Sequence, residues 1–313
     1  MANASEKEAK LPSADKDHPH EHSSAALSGG KLIGVTALNA SITIIEIVGG
    51  VLSGSLALLS DAVHNLSDTL SIVLTYIAWK ISSRKRNSRK TYGYKRAEIL
   101  AAFINSTSLI VISAFLVFEA AKRLMHPEPI HSGIMIGVAA FGLVANLISV
   151  LLLEKESHGN LNIRSSFLHL LGDTISSVAV VGGGLAIKYL GWNWIDPLAT
   201  AGIAVYISIQ SFKIVKRTVD ILMQSSADLD YEAMQKDIES FPDVKGVHHV
   251  HTWYANEDTI FMEAHIDVAD VLISKANQLI GPIEQMLHDK YDISHVTLQF
   301  EIDRCEEKAF FKA

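Results

Sequence analysis

The sequence predicts a membrane α-helical protein with six transmembrane helices and a C-terminal α+β domain of αββαβ order. Three observations predict it. Of 313 residues, 49% are hydrophobic and 19% charged, against about 25% charged in an average soluble domain, and the mean hydropathy is +0.23. Between residues 31 and 220 the chain runs through long apolar stretches separated by short polar breaks. After residue 225 short apolar runs alternate with charge, as in a water-soluble domain. The organisation read from this is a polar tail over 1–30, a membrane domain over 31–220 and a soluble domain over 225–304.

A spanning helix takes about 20 mostly apolar residues. The stretches that qualify are Lys31–Leu52, Ser55–Ile81, Ala97–Ala121, Ser132–Leu153, Asn162–Leu190 and Pro197–Val215. Gly49-Gly50 and Ser53-Gly54-Ser55 break the first from the second, and His126-Pro127-Glu128-Pro129 ends the third. Trp192 and Trp194, before Asp196-Pro197, suit a membrane interface. In the soluble part, Asp228 or Asp230 caps a helix over Tyr231–Ser240. Val247–Tyr254 and Thr259–Val268 read as strands around a four-residue turn, Ala255–Asp258. Ser274–Lys290 reads as a helix weakened at Gly281-Pro282. His295–Ile302 alternates like a strand. An antiparallel-type sheet with helices on one face is expected.

Lys and Arg set the orientation. The connections after the second, fourth and sixth helices, Arg84 through Arg96 foremost, carry twelve basic residues, and the opposite side carries Lys122, Arg123 and Lys188. The positive-inside rule then puts both termini, and the soluble domain, in the cytoplasm. A net charge of -7 speaks against nucleic acid as a partner. One cysteine, Cys305, excludes an intrachain disulfide and equally a cysteine-based metal site. His18, His20 and His22 lie in the polar tail and read as solvated, with weak metal capture as the alternative.

The chemistry sits inside two apolar helices. The second carries Asp61, His64 and Asp68, and the fifth carries His169 and Asp173. Ionisable groups in a membrane cost several kcal/mol unless paired or solvated, so they mark a pathway or a structural pair. Residues four apart share a helix face. His64/Asp68 and His169/Asp173 therefore offer two imidazoles and two carboxylates, a tetrahedral donor set for zinc with the two negative charges that neutralise Zn²⁺. The segments from His64, HNLSDTLS, and from His169, HLLGDTIS, agree at five of eight positions. With both termini inside, the two helices are antiparallel, and His64 is expected level with Asp173. Asn39, Asn105 and Asn146 line a route or bridge helices, and Glu46 is a further acid in the first helix.

These residues resemble the cation diffusion facilitator family, in its zinc-transporting branch. The resemblance covers about residues 31–302 and rests on Ser60-Asp61-Ala62-Val63-His64-Asn65-Leu66-Ser67-Asp68, Thr91-Tyr92-Gly93-Tyr94-Lys95-Arg96-Ala97-Glu98, His169-Leu170-Leu171-Gly172-Asp173 and Asp196-Pro197. It implies six transmembrane helices, a cytoplasmic metallochaperone-like domain, a homodimer in the lipid bilayer, and exchange of Zn²⁺, with Cd²⁺ or Co²⁺ as further cargo, for protons. It also implies metal in the cytoplasmic domain, where His251, His265 and Glu301 are the best positional matches and His248, His249 and His295 are substitutes. A four-residue turn would set His251 and His265 on opposite faces, and another length would reunite them. The short connection after the fourth helix, with only His158, points away from a eukaryotic vesicular member and toward a bacterial cytoplasmic membrane.

Two other classes are weighed against a transporter. No His-Glu-x-x-His or serine-nucleophile pattern supports a metal-dependent intramembrane enzyme, and four protein ligands leave zinc no position for water. A membrane metal sensor would not need paired imidazoles and carboxylates inside two helices.

Overall fold

The computed structural model describes residues 29–157, 161–305 and 308–311, without the side chains of 29–37, 152–157 and 161–169. His18, His20, His22 and His158 fall outside the described residues. Six long helices come first: α1 (Gly29–Ser53), α2 (Leu56–Ser82), α3 (Arg96–Met125), α4 (Ser132–Ser157), α5 (Leu161–Leu190) and α6 (Ile195–Leu222). The soluble part follows as α7 (Tyr231–Glu239), β1 (Val244–Tyr254), β2 (Ile260–Val268), α8 (Ile273–Tyr291) and β3 (Ile293–Glu301), the predicted αββαβ order.

Among the described residues, α3, α6 and the segments Ser132–Leu151 and Leu170–Leu190 are long and apolar enough to cross a bilayer, and Leu38–Ser53 of α1 is a shorter apolar stretch. In α2, Asp61, His64, Asn65, Asp68 and several serines interrupt the apolar run. The helices turn large apolar side chains outward: Phe118 is 67% exposed and Ile175 64%. Water would penalise such a continuous apolar surface, whereas lipid accepts it.

The helices sort into two groups. α4 lies along α5 and against α1, which packs on α2, while α3 runs along α6 and α2 touches both groups. Small residues allow the close approaches. A Cβ on Gly49 would fall 2.6 Å from the Val138 side chain, and one on Gly184 2.8 Å from Ile136.

The start of α2 is fixed from another helix. Its first backbone N–H groups have no partner within the helix. Leu58 N donates to the N-cap Ser55 Oγ at 3.1 Å. Asp196 of α6 accepts from Ser55 Oγ at 2.5 Å, Leu56 N at 2.9 Å and Ala57 N at 3.2 Å. Arg123 of α3 donates to the Gly54 carbonyl beside it. The three polypeptide segments are thus knotted together at one end of the bundle.

In the C-terminal domain the strand order is β1-β2-β3. β1 and β2 are antiparallel, but β2 and β3 are parallel, so the sheet is mixed rather than antiparallel. The cause is α8, which carries the chain back along the sheet before β3 begins. α8 runs unbroken through Pro282. Asp230 caps α7, accepting from Ala233 N at 3.0 Å. Met234, Ile238, Met262, Ile266, Ile283, Leu287 and Ile293 form the core on one sheet face.

Candidate metal centre

α2 and α5 bring their polar residues together inside the bundle. His64 Nε2 lies 3.3 Å from Asp173 Oδ1 and 3.9 Å from Asp68 Oδ2. One ligand atom from each of His64, Asp68 and Asp173 falls within 4.8 Å of the others, a spacing that admits a single ion. Asp173 is 5% exposed. His169 lies on α5, one turn before Asp173, with its side chain outside the described residues.

Hydrogen bonds from neighbouring helices hold the surroundings. Ser176 Oγ of α5 donates to Asp61 Oδ1 of α2 at 2.8 Å, tying the two motif helices. Asn105 Nδ2 of α3 donates to Ser71 Oγ at 2.7 Å, on the α2 turn after Asp68. Asn39 accepts through its carbonyl from Thr43 Oγ1 on α1 itself. Asn146 Nδ2 reaches Ser177 Oγ at 3.4 Å and so joins α4 to α5.

A buried pair joins α1 to α2 beside the motif. Asn65 Nδ2 donates to Glu46 Oε2 at 2.8 Å, and both residues are 1% exposed. Glu46 Oε1 packs against Gly142, where a Cβ would come within 2.7 Å of it. Nothing in the apolar periodicity of α1 announces this pairing, and the carboxyl alone was the available signal.

A second cluster lies on the sheet face away from the core. His248 Nε2 lies 2.9 Å from Glu301 Oε1, His265 Nδ1 3.2 Å from Glu301 Oε2 and 3.6 Å from Cys305 Sγ. One ligand atom from each of these residues lies within 4.8 Å of the rest. Burial acts to raise the Glu301 carboxyl, but hydrogen bonds with Cys305, Gln299 and His248 and the nearby His265 outweigh it and hold it below the usual range.

The cluster differs from the sequence expectation in two ways. The turn runs over five residues, 255–259, between the paired Tyr254 and Ile260, so His251, opposite Glu263, shares a face with His265. A bulge between His248 and His251, with His249 at φ 53°, then sets His248 directly opposite His265. His251 stays exposed outside the group, and His248 stands in it. Cys305 Sγ also lies among these candidate donors, and a mixed donor set can take a single thiolate where a cysteine-based site cannot form. Cys305 follows β3 closely enough to return over the sheet beside Glu301.

Comparison with known proteins agrees with this architecture. Residues 32–223 match the family described as cation efflux transmembrane domain, and 227–303 match the cytoplasmic domain of cation efflux proteins. The metal cation efflux system protein CzcD of Cupriavidus metallidurans is 34% identical over 291 residues, covering 93% of this chain and 91% of that protein. The zinc transporter ZitB of Escherichia coli is 35% identical over 295 residues, covering 92% and 93%. A cadmium, cobalt and zinc/H(+)-K(+) antiporter of Bacillus subtilis is 35% identical over 288 residues, covering 91% and 92%. The chain belongs to the cation diffusion facilitator family, in its zinc-transporting branch. This facilitator is an integral membrane protein of divalent cation efflux, with a cytoplasmic domain of the dimerising type. Its apolar outer surface, partly buried donor cluster between helices and separate C-terminal domain agree with that membership.

Proposed function

We propose that this facilitator is a Zn²⁺/H⁺ antiporter whose cargo is held by His64, Asp68, His169 and Asp173, with both termini in the cytoplasm. The observation that carries the reading is the 3.3 Å approach of His64 on α2 to Asp173 on α5. His64 and Asp68 of α2 meet Asp173 of α5 there, and His169, one turn before Asp173, would complete the set. Two imidazoles and two carboxylates suit Zn²⁺ in size, geometry and charge. The zinc transporters among its relatives support the same cargo.

Proton exchange follows from the donor chemistry. Zinc needs neutral imidazoles and ionised carboxylates, so binding displaces protons. From the cytoplasm the ion enters the site while it faces inward. A rocking of the helices then exposes the site to the outside. There protons compete for the imidazoles, and the ion leaves. A proton gradient directed inward thereby drives zinc outward. The antiporter name of the Bacillus subtilis relative supports this direction of reasoning.

The soluble cluster of His248, His265, Glu301 and Cys305 fits a second zinc site in the cytoplasmic domain. Its nitrogen, oxygen and sulfur donors match a borderline-soft ion.

Zinc uptake into sealed vesicles tests the transport reading, with purified wild type or Asp173→Ala and an imposed pH gradient. Gradient-driven uptake lost in the variant is the expected result. Equal uptake by both proteins refutes the site, and uptake indifferent to the gradient refutes the antiport.

A further inference from the structure

The connection between α2 and α3 holds Arg84, Lys85, Arg86, Arg89, Lys90, Lys95 and Arg96. Among the described residues none of them forms an ion pair. A cavity of about 670 Å³ opens between this connection and the β1–β2 face of the cytoplasmic domain. Lys90, Lys95 and Arg96 supply cations to its lining, and Tyr92, Trp253 and Phe261 supply aromatic walls. Glu263 is the one acid among the lining residues.

Lys95 is the most telling of the cations. It is partly buried, its ammonium lies 3.4 Å from Thr259 Oγ1 and 5.9 Å from the centre of the Phe261 ring, and among the described residues it forms no ion pair. Burial lowers the Lys95 ammonium and Arg86 lowers it further, with Glu98 offsetting only part. Lys95 also takes the N-cap position of α3 and makes no side-chain cap bond there. The positive end of the α3 dipole therefore coincides with Lys95 and Arg96, where an acidic or neutral cap is the stabilising choice. Lys90, Lys95 and Arg96 stand against Glu263 in the lining and Glu98 in the first turn of α3, which leaves a net positive charge round the cavity.

We propose that this cavity binds a phosphate group, carried by the headgroup of an anionic phospholipid. Phosphate oxygens accept charge-assisted hydrogen bonds from lysine and arginine together. The cavity lies beside the ends of α2 and α3, at the level where basic side chains meet the headgroups of a cytoplasmic leaflet. Placing this face in the cytoplasm rests on the orientation proposed above, whereas the phosphate chemistry does not. A bound headgroup bridges the α2–α3 connection to β1 and β2, and so couples the cytoplasmic domain to the membrane.

The test uses the full chain in phosphatidylcholine nanodiscs doped with phosphatidylglycerol, extracted into detergent, with retained lipid counted by mass spectrometry. Wild type is expected to retain phosphatidylglycerol over phosphatidylcholine. K90Q/K95Q is expected to lose roughly tenfold in retention. R84Q/K85Q removes the same charge outside the cavity and is expected to behave as wild type. If delipidated protein instead takes up inorganic phosphate, and K90Q/K95Q abolishes that uptake, the phosphate site stands and its source is the free anion. Equal loss in both double variants, or no preference for phosphatidylglycerol in wild type, overturns the proposal. Zinc flux is not the readout, so failure here leaves the transport reading untouched, and a failed transport site leaves this test intact.

Discussion

Removing the Asp196 carboxylate tests how the position of α2 is set. Asp196 is fully buried and serves three donors, the Ser55 hydroxyl and the N–H groups of Leu56 and Ala57. Asp196→Ala leaves those donors at a helix start that cannot satisfy them internally. A buried donor left without a partner costs about 1–3 kcal/mol. Loss of the negative charge at the positive end of the α2 dipole adds about 0.3–1 kcal/mol. Taking the lower end for each of the three donors and adding the dipole contribution, the loss is about 3–4 kcal/mol. That corresponds to a fall of roughly 5–10 °C in melting temperature. Tryptophan fluorescence of the detergent-solubilised protein during heating measures it. Asp196→Asn keeps one acceptor oxygen but turns an amide N–H toward a donor, so it is expected to fall between wild type and alanine. Zinc transport should decline further than the folded fraction, because α2 carries His64 and Asp68 and its register sets their depth. A melting temperature for Asp196→Ala equal to that of wild type would show that α2 is anchored by its apolar packing alone.

Three further predictions follow the same reasoning. Gly142→Ala puts a Cβ 2.7 Å from Glu46 Oε1, so the carboxyl must leave Asn65 or α4 must move; a loss of about 1–3 kcal/mol is expected, measured by the same melting experiment, and unchanged melting refutes the tight contact. His248→Ala should abolish a cytoplasmic-domain zinc that His251→Ala retains, with zinc per chain counted by elemental analysis; the opposite pattern would return His251 to the site. In the cytoplasmic domain, Asp237 takes hydrogen bonds from Lys290 and Tyr291, which hold its carboxyl below the ordinary 3.8. A group depressed on folding contributes its stability above the unfolded pKa and loses it as pH falls through the folded value. The stabilising contact between α7 and α8 is thus intact at neutral pH and lost in acid, and Asp237→Asn is expected to flatten the acid limb of melting temperature against pH. An unchanged acid limb refutes the pairing.

The sequence by itself determined the class of the molecule. Six apolar stretches with polar breaks, and strand-length alternation after residue 225, are local patterns that survive any tertiary arrangement, and the helices and strands form where those patterns lie. Legible too was the candidate site, as far as residue types and spacing go, because a four-residue interval places His64 and Asp68 on one helix face wherever the helix packs.

Only the tertiary structure decided which groups meet across elements. The α8 crossover made β3 parallel to β2 and carried Glu301 toward His248. A single bulged residue shifted the register so that His248 rather than His249 stands opposite His265, since strand faces alternate every residue and one extra residue reverses them, while His251 stays opposite Glu263. The return of Cys305 over the sheet, the capping of α2 by Asp196 from the distant α6, and the Glu46–Asn65 pair likewise depend on packing between segments far apart in the chain. Periodicity records which face of an element is apolar. It carries no information about the partner that face will meet, because that choice is made by the fit of whole surfaces.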